Sequence, residues 1–186
     1  DKDGHTALMK VFERMFDNNN KKEIVELLLD HGTNINLQDQ DGHTALMYAI
    51  PSNNVIKLLL DRGANIDLQN KEGETVLLAV SMNSAMAISM YKAFKPDKDH
   101  SEIVNKYIEP IKLVLDRISN IDLQNTQGNT ALMIASLIGS YDVVKLLLSH
   151  GANPNLQNKE GKTALILASK SGSPETAQII SDEIER

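Results

Sequence analysis

The sequence predicts an all-α solenoid of five short helix-turn-helix units. Two frames carry that expectation, one built on a glycine turn and one on an apolar helix face, because both recur in fixed order along the 186 residues. A third consideration is size. One such unit cannot bury its own apolar face, so neighbouring units must stack to make a core.

The first frame reads DGHTALM from Asp3 and again from Asp41, EGETVLL from Glu72, QGNTALM from Gln127 and EGKTALI from Glu160. Its glycines are Gly4, Gly42, Gly73, Gly128 and Gly161, separated by 38, 31, 55 and 33 residues. The second frame reads VELLLDHGTNINLQ from Val25, VIKLLLDRGANIDLQ from Val55, IKLVLDRISNIDLQ from Ile111 and VVKLLLSHGANPNLQ from Val143. Together they set units of approximately 1–35, 36–66, 67–121, 122–154 and 155–186 within a single domain, with an insertion at 84–109 in the third.

The fifth unit shows why each element should form. Asn158 to Gly161 supplies turn chemistry, a side chain able to bond its own backbone followed by a residue tolerant of positive φ. Thr163 stands where an N-cap belongs, its hydroxyl ready to accept from the first helical turn. Ala164, Leu165 and Ala168 are small or strong helix formers that permit close packing. In the preceding unit the helix Val143 to Ser149 runs into His150-Gly151. An ionisable residue suits the helix C-terminus, and glycine takes the left-handed position after it.

These two frames resemble the ankyrin repeat, whose pattern runs approximately D-x-x-G-x-T-P-L-H-x-A-A-x-x-G and then I-V-x-x-L-L-x-x-G-A-x-x-N. The resemblance covers essentially the whole chain, with departures. The proline position holds Ala or Val, and the histidine position holds Met9, Met47, Leu78, Met133 or Ile166. In the family that histidine ties one turn to the next; here apolar packing is expected to take its place. The wording TALM with NIDLQN is also similar to ankyrin arrays of giant DNA viruses of the mimivirus kind. That likeness implies a host protein as partner and the host cytoplasm as location.

Irregularities are informative because the scaffold does not require them. Asp17 to Lys21 reads as a polar loop between the helices of unit one, and Pro51 should end the first helix of unit two early. In unit three, Met82, Met86, Met90 and Phe94 fall four residues apart and form one helical stripe, while Ile103, Tyr107 and Ile111 form another. Pro96 and the Asp97-to-Asp99 turn separate them, Ser101 is a candidate cap, and Pro110 should kink the second helix or begin a separate one. Both helices of this unit are therefore expected to extend into an antiparallel hairpin. The two stripes either pack on each other, the expected arrangement, or leave part of the methionine face for a partner. Ile118 replaces the stop glycine, and a β-branched residue in the left-handed region costs about 1–2 kcal/mol, so another helix end is expected there.

Several function classes are disfavoured. The net charge is −6 with no basic block, which argues against nucleic acid. The absence of cysteine excludes disulfides, thiolate zinc sites and a cysteine nucleophile, and accords with a cytoplasmic location. No stretch approaches the roughly 20 apolar residues of a membrane helix, so no membrane partner is expected. Gly161-Lys162-Thr163 resembles the end of a phosphate loop, but the position of that loop's first glycine is Leu156, and the lysine position varies among the frames. The histidines occupy turns and helix ends without a metal-ligand pattern, and Ser and Thr recur as caps. No enzyme activity, cofactor or metal is expected. The first residue is Asp1 and lies inside a unit, so the sequence is expected to come from a longer protein.

What remains is binding. The ankyrin resemblance implies recognition by turn tips and the exposed side of each first helix, aligned into one concave strip. Carried over singly, the positions are Gln40, Asp41 and His43; Lys71, Glu72, Glu74 and Met82; Thr126, Gln127, Asn129, Leu137 and Ile138; and Lys159, Glu160, Lys162, Lys170 and Ser171. Leu137 and Ile138 are the pair that the scaffold does not demand. They either anchor a partner or tuck against the hairpin. The expected function is non-catalytic protein recognition by a monomer. The alternative is an array that positions an effector or ubiquitin-ligase adaptor segment lying outside this sequence.

Overall fold

A computed structural model describes residues 2–13, 18–50 and 52–186. Its helices come in pairs: α1 (Ala7–Glu13) and α2 (Asn18–Asp30), α3 (Ala45–Tyr48) and α4 (Asn53–Asp61), α5 (Val76–Phe94) and α6 (Ser101–Leu115), α7 (Ala131–Ile138) and α8 (Tyr141–Ser149), α9 (Ala164–Ser171) and α10 (Pro174–Ile184). Each first helix packs on the next first helix and each second on the next second, so the pairs stack in two layers. Among the described residues no strand forms; Gln38 and Thr44 make one isolated bridge across a turn. The fold is the all-α ankyrin-type solenoid that the sequence predicts.

Threonines start the first helices. Thr44, Thr75, Thr130 and Thr163 lie in extended backbone and accept from the N–H groups of Met47, Leu78, Met133 and Ile166. Second helices end on left-handed glycines, Gly63 after α4 and Gly151 after α8. A ring nitrogen of His150 lies 2.9 Å from the Leu146 carbonyl, and one of His31 lies 2.7 Å from that of Leu27, so each histidine adds a contact to a carbonyl of the last helical turn. Ile118 avoids the left-handed region, since no described non-glycine residue has positive φ. There α6 ends at right-handed Asp116, and the Arg117 guanidinium donates to the Leu113 carbonyl at 3.1 Å. Between the layers, Leu46, Leu77 and Leu132 of the turn frame meet Leu59, Ile111 and Leu147 of the second helices in one continuous core.

Several expectations change in detail. Asn18 to Lys21 form the first turn of α2 instead of a loop, while Asp17 lies outside the described residues. The Asp99 carboxylate, not Ser101, serves the start of α6; it accepts the Ser101 N–H at 2.9 Å and hydroxyl at 3.0 Å. Pro110 is buried inside a continuous α6 and begins no separate helix. Pro51 lies outside the described residues, but α3 is only 4 residues long.

The extended hairpin forms from α5 and α6 as expected, yet its two stripes do not pack on each other. Met82, Met86, Met90 and Phe94 are 41%, 57%, 62% and 80% exposed. α5 buries the opposite side instead, with Val80, Ser81, Ser84, Ala85 and Ile88 facing its neighbours. Small residues there let helices approach closely, and the large side chains are turned out. At 19 residues and a mean hydropathy of 1.2, α5 also meets the bare length and composition of a membrane span, against the sequence expectation. Its buried side is packed into the stack.

Candidate functional site

The turn tips are joined to one another through hydrogen bonds. The Lys71 N–H donates to the Asp41 carbonyl at 2.8 Å, Thr126 to Glu72 at 2.8 Å and Lys159 to Gln127 at 3.0 Å; Gln40 reaches Asp3 at 3.0 Å. A glutamine ladder runs beside them. The Gln38 amide donates to the Gln69 carbonyl at 2.8 Å, Gln69 to Gln124 at 3.3 Å, and Gln124 to Gln157 at 3.0 Å. The same amides bond the carbonyls of Gly42, Gly73 and Gly128 in their own turns. This corrects the expected apolar tie between turns. Met9, Leu78 and Met133 are buried in the core, but turn meets turn through amide chemistry. The signal was available as the invariant glutamine closing each second frame, Gln38, Gln69, Gln124 and Gln157.

Within a tip the chain is held by one Asx side chain. Asn70, Asn125 and Asn158 each accept two backbone N–H groups, from Glu72 and Glu74, Gln127 and Asn129, and Glu160 and Lys162, at 2.8–3.0 Å. Asp39 does the same for Asp41 and His43, both at 2.9 Å, and differs in its second oxygen. That atom accepts the Tyr48 hydroxyl at 2.7 Å and lies 3.4 Å from a His5 ring nitrogen. His5 also contacts Glu13, and the rings of His5 and His43 each sit 5.6 Å from that of Tyr48. Sequence reasoning missed this cluster, because it places His5 and His43 only as turn residues after the frame glycines.

Burial pushes the Asp39 carboxyl up, but the Tyr48 hydroxyl, the His43 and Asp41 N–H groups and the nearby His43 hold it below the ordinary range on balance. Burial and then the Asp39 charge push the Tyr48 hydroxyl far above its ordinary range, the reverse of what an activated tyrosine needs. The cluster is a joint between units one and two. A carboxyl with a depressed folded value contributes stability above its unfolded pKa, and that contribution is lost as pH falls through the folded value. Asp39→Asn is therefore expected to flatten the loss of urea stability between about pH 5 and about pH 2, where the parent steepens. Equal slopes would show that Asp39 carries none of the acid sensitivity.

The expected site residues divide into two places. Gln40, Asp41, Lys71, Glu72, Thr126, Gln127, Lys159 and Glu160 are exposed along the bonded row of tips. His43, Glu74, Asn129 and Lys162 lie one step inward and are half-buried. There the Asn70 amide meets both Glu74 and His43, Asn158 donates to Asn129 at 2.8 Å, and Lys162 pairs with Glu160. Thus Lys162 is engaged within its own turn and Thr163 is a helix cap. Leu137, Ile138, Lys170 and Ser171 lie at the opposite ends of their first helices, and Met82 lies within α5, all away from the tips.

At that opposite end the structure shows an apolar groove of about 660 Å³. The short α3 stops at Tyr48 while α5 runs on to Phe94, so Met47 and Ile50 face Met82, Met86 and Met90 across open space. Ile138 closes another wall, and Leu137 remains 50% exposed. The two residues thus part company, one lining the groove and one facing solvent. The truncated unit and the enlarged unit were each legible; the groove comes from their adjacency. Among the described residues no group of three or more metal-ligating side chains converges.

Stacked helix pairs whose turns are bonded into one row define a repeat array that offers an extended face. The family model for ankyrin repeats (3 copies) matches residues 1–70 and 90–185, and the chain belongs to that family. Ankyrin repeats are generally non-catalytic protein–protein interaction modules. Comparison with curated proteins gave no match. The unmatched stretch, 71–89, holds Gly73 and most of α5, where this chain departs furthest from a regular unit.

Proposed function

We propose that the chain binds a partner protein without catalysis, through the row of turn tips and the adjoining first-helix surface. The observation that supports this reading is the tip-to-tip hydrogen bonding. It fixes Asp41, Lys71, Glu72, Gln127, Lys159 and Glu160 in register without using their side chains for the tie. A preordered surface loses little conformational entropy on binding, which is the main cost an interface must offset. The row alternates acidic and basic groups, Asp41, Lys71, Glu72, Lys159 and Glu160, and so suits a protein surface of mixed charge better than a polyanion. The partner surface is expected to carry the complementary alternation.

Replacing Lys71, Glu72, Gln127 and Lys159 together by alanine tests it. Their side chains are exposed and their backbone bonds survive the change, so the melting temperature is expected to stay within about 3 °C of the parent. Capture of partner proteins, quantified by mass spectrometry against the parent, is expected to fall at least about tenfold, as loss of interface side chains implies. Capture at the parental level by a folded variant would remove the tip row from the function.

A further inference from the structure

The outward face of α5 has no charge. Ala79, Met82, Met86, Met90, Ala93 and Phe94 turn outward with Asn83 and half-buried Ser89 as the polar members, while Lys92 turns away to pair with Asp142 of α8 at 2.6 Å. Three successive steps of four residues make Met82, Met86, Met90 and Phe94 a continuous i±4n ridge. The exposure of those four leaves on the order of 500 Å² of apolar surface in one stripe, toward the top of what isolated monomers carry. With the flanking alanines and Ile138 the face approaches the roughly 800 Å² per partner of a stable interface.

The same helix carries both a knob and a receptacle. The groove runs along α5 from Ala79 to Met90, and Phe94, the most exposed large apolar side chain among the described residues, lies just beyond it. From Met82 to Phe94 is about 18 Å along the axis. A two-fold axis beside Ile88 would set Phe94 of each copy over the Met82 end of the other's groove and Met86 against Met90. Both contacts then form twice, as an isologous interface requires. An uncharged face is not repelled by its own image, and it holds no charge with which to select a different protein.

We infer that a second copy of this chain covers the face, with the two α5 helices antiparallel and ridge packed into groove. The contact lies at the far ends of the first helices, so the tip rows of both copies stay open. The dimer would present two recognition rows at once and gain avidity for a partner with two epitopes.

Sedimentation of the intact chain over about 1–500 µM tests this, the range in which such an interface should reveal itself. The expected result is a shift from 20.5 kDa to twice that mass. Met86→Glu with Met90→Glu, both at exposed positions, should raise the dissociation constant at least about 100-fold, because four charges, two from each copy, would then be buried unpaired. The tip variant should leave the mass unchanged. Since the chain has no cysteine, an equal mixture of Met86→Cys and Met90→Cys should cross-link about tenfold faster than either alone, reporting the antiparallel register without any folding penalty from charge. A 20.5 kDa species throughout would overturn the inference. So would a dimer indifferent to both glutamates, or a monomer that instead co-floats with phosphatidylcholine vesicles.

Discussion

Gly128→Ala is expected to lower the unfolding free energy by about 3 kcal/mol, against about 1 kcal/mol for Gly151→Ala. Both glycines have left-handed backbone, with φ of 81° and 83°, so both substitutions incur the same strain at the Cα. They differ in what surrounds them. A Cβ at Gly128 would lie 2.8 Å from the Lys159 backbone nitrogen and 3.0 Å from the Asn158 Cα, whereas one at Gly151 would meet nothing within 4 Å. Relief at Gly128 requires two turns to separate, which would break the Lys159 to Gln127 hydrogen bond and stretch the Gln124 ladder. Gly161 has the same frame position, but no described turn lies against it, and a Cβ there also meets nothing within 4 Å. Gly161→Ala should therefore behave like Gly151→Ala. Urea denaturation of the three variants decides it. Equal losses would mean that frame glycines serve only the turn conformation and that turns do not touch.

The second large effect concerns Asp39, whose side chain is 1% exposed. Asp39→Leu strands the N–H groups of Asp41 and His43 and the Tyr48 hydroxyl without a partner, a loss expected at about 3 kcal/mol or more. Asp39→Asn keeps the two backbone bonds, as Asn70, Asn125 and Asn158 do in their own turns, and should cost about 1 kcal/mol. The contrast separates the turn-holding oxygen from the one that faces Tyr48. If Asn and Leu destabilise equally, the Tyr48 contact dominates and the turn bonds contribute little. Tyr48→Phe should fall near the Asn variant, because it removes one member of the same contact.

The fold was legible because its determinants are local and repeated. Thr44, Thr75, Thr130 and Thr163 each announce a helix, and Gly63 and Gly151 each end one, without reference to anything distant. The hairpin was legible from Pro96 and the spacing of Met82 to Phe94. Which way that stripe faces was not, since period four defines a ridge without saying which side the neighbours occupy. Ser81, Ser84 and Ala85 decide the matter by offering α6 and α7 a closer approach than methionines would allow. The alignment of the turn tips into a row was legible, but not what orders that row. Lys71, Thr126 and Lys159 were picked for their side chains, while what orders the row is their backbone N–H groups and the glutamines behind them. The Asp39 cluster joins residues 34 positions apart, His5 and Asp39, and no spacing rule within one unit reaches that far.

Native-state hydrogen exchange reads the bonded row most directly. The amides of Lys71, Thr126 and Lys159 should be protected to within about 1 kcal/mol of global unfolding, alongside the core amides of α7, because their acceptors lie in the preceding turn of a stack that opens together. Exchange of those three amides at the rate of unprotected loop positions would show turns that move independently. The rigid row on which the proposed recognition rests would then not exist.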